Sequence, residues 1–124
     1  MIKGTGIDIT EISRIEKAMK KEGFIKRFFS ENEEKYFAKK NYPPESVAGA
    51  FSAKEAFSKA LGSGIRGFNL KDVEVMQDCL GKPYLVLSEN AKELSEKLGI
   101  KNLFLSISHS ENYAIASVIA EGDE

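Results

Sequence analysis

The segment Phe51 to Leu61, FSAKEAFSKAL, constrains the fold more than any other part of the chain. Wound at about 100° per residue, it places Ala50, Ala53, Phe57, Ala60 and Leu61 on one apolar arc. Lys54, Glu55, Ser58 and Lys59 fan over the opposite side, and Val47 and Phe51 stand in the middle of that polar fan. A helix on the surface needs only one apolar stripe. This one is therefore expected to be buried on two sides, with its charged residues bordering a cleft or a subunit contact. Ala48, Gly49, Ala56 and Ala60 are small enough to let neighbouring elements approach closely. Pro44 suits the first turn, so the helix is placed over 45–61, and Gly62-Ser63-Gly64 ends it.

The flanking sequence supplies layers to cover such a helix. Gly4 to Thr10 alternates in its second half, so it reads as a strand with Ile7 and Ile9 on one side and Asp8 and Thr10 on the other. A helical period follows from Ile12, with Ile12, Ile15 and Met19 on one arc, and Gly23 is taken as its end. Ser30-Glu31-Asn32-Glu33 has the form of a capping box opening a helix through Lys40. Val73–Met76 and Tyr84–Leu87 are short β runs around Gly81-Lys82-Pro83. Ser88 is expected to cap a helix that Gly99 closes, and Leu103–Ser108 and Tyr113–Ala120 are the last strands. The order reads as an α+β fold in which a small antiparallel sheet packs on a long buried helix.

Composition bounds the function. The chain has 124 residues, 42% hydrophobic and 30% charged, which suits one compact domain over 1–124 with 121–124 as a frayed tail. No apolar run approaches the ~18 residues of a membrane helix, and the opening residues leave no room for a signal peptide. Cys79 is the one cysteine, so it forms no internal disulfide, and it is given no role. A cytoplasmic protein is the simplest reading. The net charge of −1 argues against a protein coated for nucleic acid. It is unevenly spread, however. Ile12 to Arg27 carries six basic and two acidic residues, so that segment is +4 and the remainder −5.

Two carboxylates carry the candidate chemistry. In isolation, Glu55 and Lys59 make an ordinary i,i+4 surface pair worth about 0.3–0.5 kcal/mol. On a half-buried face, a carboxylate beside lysines suits a cation and the phosphates around it. Asp8 points away from Ile7 and Ile9, so it is either solvated or held in a site. Magnesium takes one or two protein carboxylates and leaves its other positions to water and phosphate, which Asp8 and Glu55 satisfy if the fold unites them. The lone His109 sits in the turn before the last strand, where a structural hydrogen bond is the commoner role.

Together these residues resemble a known family. Gly6-Ile7-Asp8-Ile9-Thr10-Glu11-Ile12-Ser13-Arg14-Ile15 is similar to the opening motif of the holo-acyl-carrier-protein synthases. Phe51 to Ile65 resembles their second motif, the hallmark of phosphopantetheinyl transferases, and Gly81-Lys82-Pro83 and Ser106-Ile107-Ser108-His109-Ser110 follow in order. The resemblance covers residues 4 to 120 and implies a homotrimer of the phosphopantetheinyl transferase fold, with active sites between subunits. It implies that a serine of apo acyl carrier protein attacks the β-phosphate of coenzyme A, releasing 3′,5′-ADP, in support of fatty acid biosynthesis. Asp8 and Glu55 would hold magnesium against the pyrophosphate, with Lys54 and Lys59 near the phosphates. A water on the metal, Glu55 or a lysine would take the serine proton. Gly62, Ser63, Gly64, Lys82, Pro83, Ser108 and His109 would contact the coenzyme, His109 from a neighbouring subunit. Arg14, Lys17, Met19 and Lys21 would form the docking surface for an acidic carrier protein.

The sequence departs from the family pattern at Ala50, where relatives commonly carry arginine, and at Ser52, which replaces a small apolar residue. Two other classes fit less well. A silent module binding coenzyme A or a carrier would not need Asp8, Glu55, Lys54 and Lys59 intact. A metal-dependent nuclease would need a broader basic surface.

Overall fold

A computed structural model describes residues 1–62 and 67–123. The chain runs β1 (Ile2–Glu11), α1 (Ile12–Met19), α2 (Phe24–Phe28), α3 (Glu31–Lys39), α4 (Pro44–Leu61), a 3₁₀ turn (Leu70–Asp72), β2 (Val73–Gln77), β3 (Pro83–Leu87), α5 (Glu89–Lys97), β4 (Asn102–His109) and β5 (Tyr113–Glu121). All strand pairing is antiparallel. β1, β5 and β4 form one sheet with β5 in the centre, and β2 and β3 form a separate hairpin.

α4 lies across one face of the three-stranded sheet, and its close approach is written into the facing residues. β5 turns Ala114, Ala116, Val118 and Ala120 toward the helix, all fully buried. β1 contributes Gly4 and Gly6, where an added Cβ would overlap the carbonyl oxygens of Ala60 and Ala56. The inferred two-sided burial of α4 is observed: Val47, Ala53, Ala56 and Phe57 are inaccessible, and so are Ser52 and Lys54. The other side of α4 meets α1, and Phe51 packs with Phe24 and Phe28 in an aromatic cluster.

The structure corrects the sequence reading in three places. The helix beginning at Ile12 ends at Met19, and Gly23, at φ 86°, opens α2 instead of closing α1. The reversal lets Phe24, Phe28 and Phe29 turn inward, a packing demand that helical periodicity does not report. Residues 121–123 are not frayed. Glu121 ends β5, Gly122 exchanges hydrogen bonds with Met1 at 2.9 and 2.6 Å, and Lys101 pairs with Asp123. The third correction is Lys54, which turns into the core.

The capping box at Ser30 forms as read, with the Glu33 side chain 2.9 Å from the Ser30 amide. Gly62 closes α4 in the left-handed region at φ 78°. Ser88 stands at the N-cap of α5 but makes no side-chain capping bond.

Candidate active site

In the second half of β1, Asp8 and Thr10 face inward and Ile7 and Ile9 face out. Ile7 and Ile9 are 64% and 61% exposed, while Asp8 and Thr10 turn toward α4 and are half-buried. Asp8 meets Ser52 and Lys59, one helical turn on either side of Glu55. The Ser52 hydroxyl lies 2.8 Å from Asp8 Oδ2, and Thr10 Oγ1 lies 2.9 Å from the same oxygen. Lys59 Nζ reaches Asp8 Oδ1 at 3.2 Å and the Ile7 carbonyl at 3.1 Å.

Asp8 and Glu55 line one groove with Thr10, Glu11, Arg14 and Phe51, so α1 borders the carboxylate pair. Burial pushes the Glu55 carboxyl up, the Asp8 charge pushes it further, and Lys59 partly offsets both. A carboxylate whose charge is opposed by burial and by a neighbouring carboxylate is favoured by a nearby cation. The donors are hard oxygens, two in number, in a groove open to water and substrate, which fits magnesium. Among the described residues no cluster of three or more acidic, histidine or cysteine ligands exists, so a metal here must draw its other ligands from elsewhere.

Lys54 is not part of this groove. Its side chain is fully buried, with Nζ 2.7 Å from Glu33 Oε1, 2.8 Å from the Leu70 carbonyl and 2.6 Å from the Val73 carbonyl. Glu33 also accepts from the Ser30 and Val75 amides, both at 2.9 Å. Burial pushes Glu33 up and Lys54 down, each opposed by the other's charge. A charged pair gives each of these acceptors a proton. An ammonium has three donors, and all three are used inside the protein. The neighbour of Glu55 is thus a pin joining α4 to α3 and β2, and the expectation that it meets phosphate is withdrawn.

The other candidates are spread along the fold. Lys82, in the β2–β3 turn, and Pro83, the first residue of β3, line a groove with Phe104, Ser106, Ser117 and Ile119 on the outer face of the sheet. Ser108 and His109 are exposed at the end of β4, paired with Ile115 and Ala114 of β5. β4 and β1 flank β5, so these two are separated from Asp8 by two strand spacings, roughly 10 Å. Gly62 is exposed at the end of α4, and Ser63 and Gly64 lie outside the described residues. Arg14, Lys17 and Lys21 are exposed on and after α1, with Met19 half-buried beside them.

Comparison with known proteins decides the family. A model of the 4′-phosphopantetheinyl transferase superfamily matches residues 4–118. The chain belongs to that superfamily. Within it, the chain is 50% identical over 121 residues to a holo-[acyl-carrier-protein] synthase of Alkaliphilus oremlandii, spanning 97% of this chain and 99% of the relative. The crystal structure of the holo-[acyl-carrier-protein] synthase from Neisseria meningitidis superimposes with a TM-score of 0.91 at 35% identity, covering 98% and 99% of the two chains. A Bacillus anthracis synthase solved in complex with CoA (3′,5′-ADP) gives 0.81 at 41% identity, covering 99% of each. The α+β fold and the synthase family expected from the motifs are therefore both borne out.

Sequence reasoning missed three residues. The sequence marks Glu33 only as a cap, whereas the same carboxylate also holds Lys54. Ser52 was noted as a departure and Thr10 as sharing a face with Asp8. Their joint hold on one oxygen needed the register of β1 against α4.

Proposed function

We propose that this chain is a holo-acyl-carrier-protein synthase that moves phosphopantetheine from coenzyme A to a carrier serine, with Asp8 and Glu55 holding a magnesium ion. The observation that carries the site assignment is the meeting of β1 and α4. There, two carboxylates share a half-buried groove and the cost of ionising Glu55 is raised by burial and by Asp8. Magnesium bound there would supply Lewis-acid neutralisation of the pyrophosphate. Lys59, exposed at the rim and weakly held by Asp8, is free to turn to a phosphate oxygen and stabilise charge there. Asp8 is oriented by its hydroxyl partners, and Glu55 lies on the rigid buried helix. Both are therefore fixed before substrate arrives.

The exposed arginine and lysines of α1 support docking of an acidic carrier protein beside the groove, since Arg14 belongs to both surfaces. Charge of this kind mainly sets encounter rate and partner choice. The outer face of the sheet supports assembly. Ile7, Ile9, Phe104, Tyr113, Ile115 and Ile119 are exposed together on neighbouring strands. A contiguous apolar face of this kind marks an interaction surface, and we assign it to the homotrimer. In that assembly Lys82, Ser108 and His109 would meet coenzyme A with the Asp8–Glu55 groove of a neighbouring copy.

The reading is tested by incubating the protein with coenzyme A, magnesium and an apo acyl carrier protein, and weighing the carrier. The carrier should gain one phosphopantetheine. An unchanged carrier mass, from folded protein that binds coenzyme A, would overturn it.

A further inference from the structure

We propose that Ser52 and Thr10 are positioning residues that fix Asp8 for its cation, a role resting on the reading of Asp8 as a metal ligand. The two hydroxyls come from different elements and converge on one carboxylate oxygen. Ser52 Oγ is 2.8 Å from Asp8 Oδ2 and 3.0 Å from the Asp8 carbonyl, and Thr10 Oγ1 is 2.9 Å from Oδ2 and 3.2 Å from Ser52 Oγ.

Each hydroxyl has one proton to give. Either choice open to Ser52 ends on Asp8, and either choice open to Thr10 ends on Asp8 or on the hydroxyl that holds it. Ser52 is completely buried in the middle of α4, where alanine would be the better helix former. Burying a hydroxyl costs less when it is bonded, and the acceptors within reach of the Ser52 proton both belong to Asp8. The result is an asymmetric carboxylate. Among the described residues, Oδ2 faces the two hydroxyls, whereas Oδ1 is held by Lys59 alone, whose side chain is 56% exposed. Oδ1 is therefore the oxygen that can be released to a cation when Lys59 turns to substrate. Without the two hydroxyls the carboxylate would rotate between Lys59 and the groove, and a ligand would have to be ordered at each binding event.

Outer partners of this kind change metal affinity by about 10–100-fold when removed. The test is a manganese titration at saturating coenzyme A, reading the free-ion paramagnetic signal. It compares the unaltered protein with Ser52→Ala, Thr10→Val and Asp8→Asn. Ser52→Ala and Thr10→Val should each raise the manganese dissociation constant about tenfold or more, with the metal-free melting temperature unchanged. In turnover, both should raise the metal concentration needed for half-maximal rate and leave the rate at saturating metal near its original value. If Asp8→Asn abolishes binding while Ser52→Ala and Thr10→Val bind as the unaltered protein does, the positioning role is wrong and the metal reading stands. If Asp8→Asn also binds unchanged, both fall.

Discussion

Lys54 and Glu55 are neighbours in the chain, but α4 turns adjacent side chains about 100° apart and gives them unrelated tasks. Lys54 is locked to Glu33 in the core. Lys54→Met should therefore cost about 3–5 kcal/mol of stability by leaving a buried carboxylate unpaired, measured by denaturant unfolding. Lys59→Ala should instead leave stability intact and lower turnover by about 10²–10³-fold, measured in a carrier-modification assay. Glu55 predicts a pH dependence. Its folded pKa is raised, so the folded state holds its proton longer than the unfolded chain does, and stability falls as pH rises from its ordinary value through the raised one. A bound cation cancels that loss. The rise in melting temperature on adding magnesium should thus be larger at neutral pH than near pH 5, and Glu55→Gln should abolish the difference. Glu33 shares the pH direction but not the magnesium response, because it lies in the core with Lys54. Asp8 and Glu55 were legible as candidates through the two family motifs that contain them, since each alone reads as a solvated or surface carboxylate. The inward turn of Lys54 was not legible, because a helix with apolar residues on two sides does not say which polar residue turns inward.

At the scale of elements, the site depends on how closely β1 meets α4. Gly6 is buried against the Ala56 carbonyl, two residues before Asp8 on the same face of the strand. Gly6→Ala would force backbone from backbone and should cost about 1–3 kcal/mol, the range for overpacking. It should also weaken magnesium binding, since Asp8 moves with the strand; calorimetry reads the binding and urea unfolding the stability. The alternation of β1 was legible, but its sense was not. Period two separates Ile7 and Ile9 from Asp8 and Thr10 without saying which pair faces the helix. The hidden α2 has a similar cause: Phe24 and Phe28 are gathered by Phe51, far along the chain in α4, and no local period records that.

For the whole molecule, β1, β4 and β5 each contribute side chains to an apolar sheet face that lies open to solvent. The outer side chains are those a core would normally bury, and assembly would cover them. If this face forms the proposed trimer, Phe104→Glu combined with Ile119→Glu should yield monomers by light scattering and lower turnover, because Ser108 and His109 would no longer stand opposite a neighbouring groove. Four motifs in order carried the family and the antiparallel α+β fold from sequence alone. That the residues proposed to meet coenzyme lie on different elements, Gly62 after α4, Pro83 in β3 and Ser108 and His109 in β4, became visible only with the structure. The most direct test of the account concerns the carboxylate pair. Carrier modification should be followed by mass spectrometry with and without a chelator, for the unaltered protein and for Glu55→Gln. Chelation and Glu55→Gln should each stop transfer while the variant stays folded and still binds coenzyme A. Transfer by Glu55→Gln at the original rate, or transfer that persists in the chelator, would contradict it.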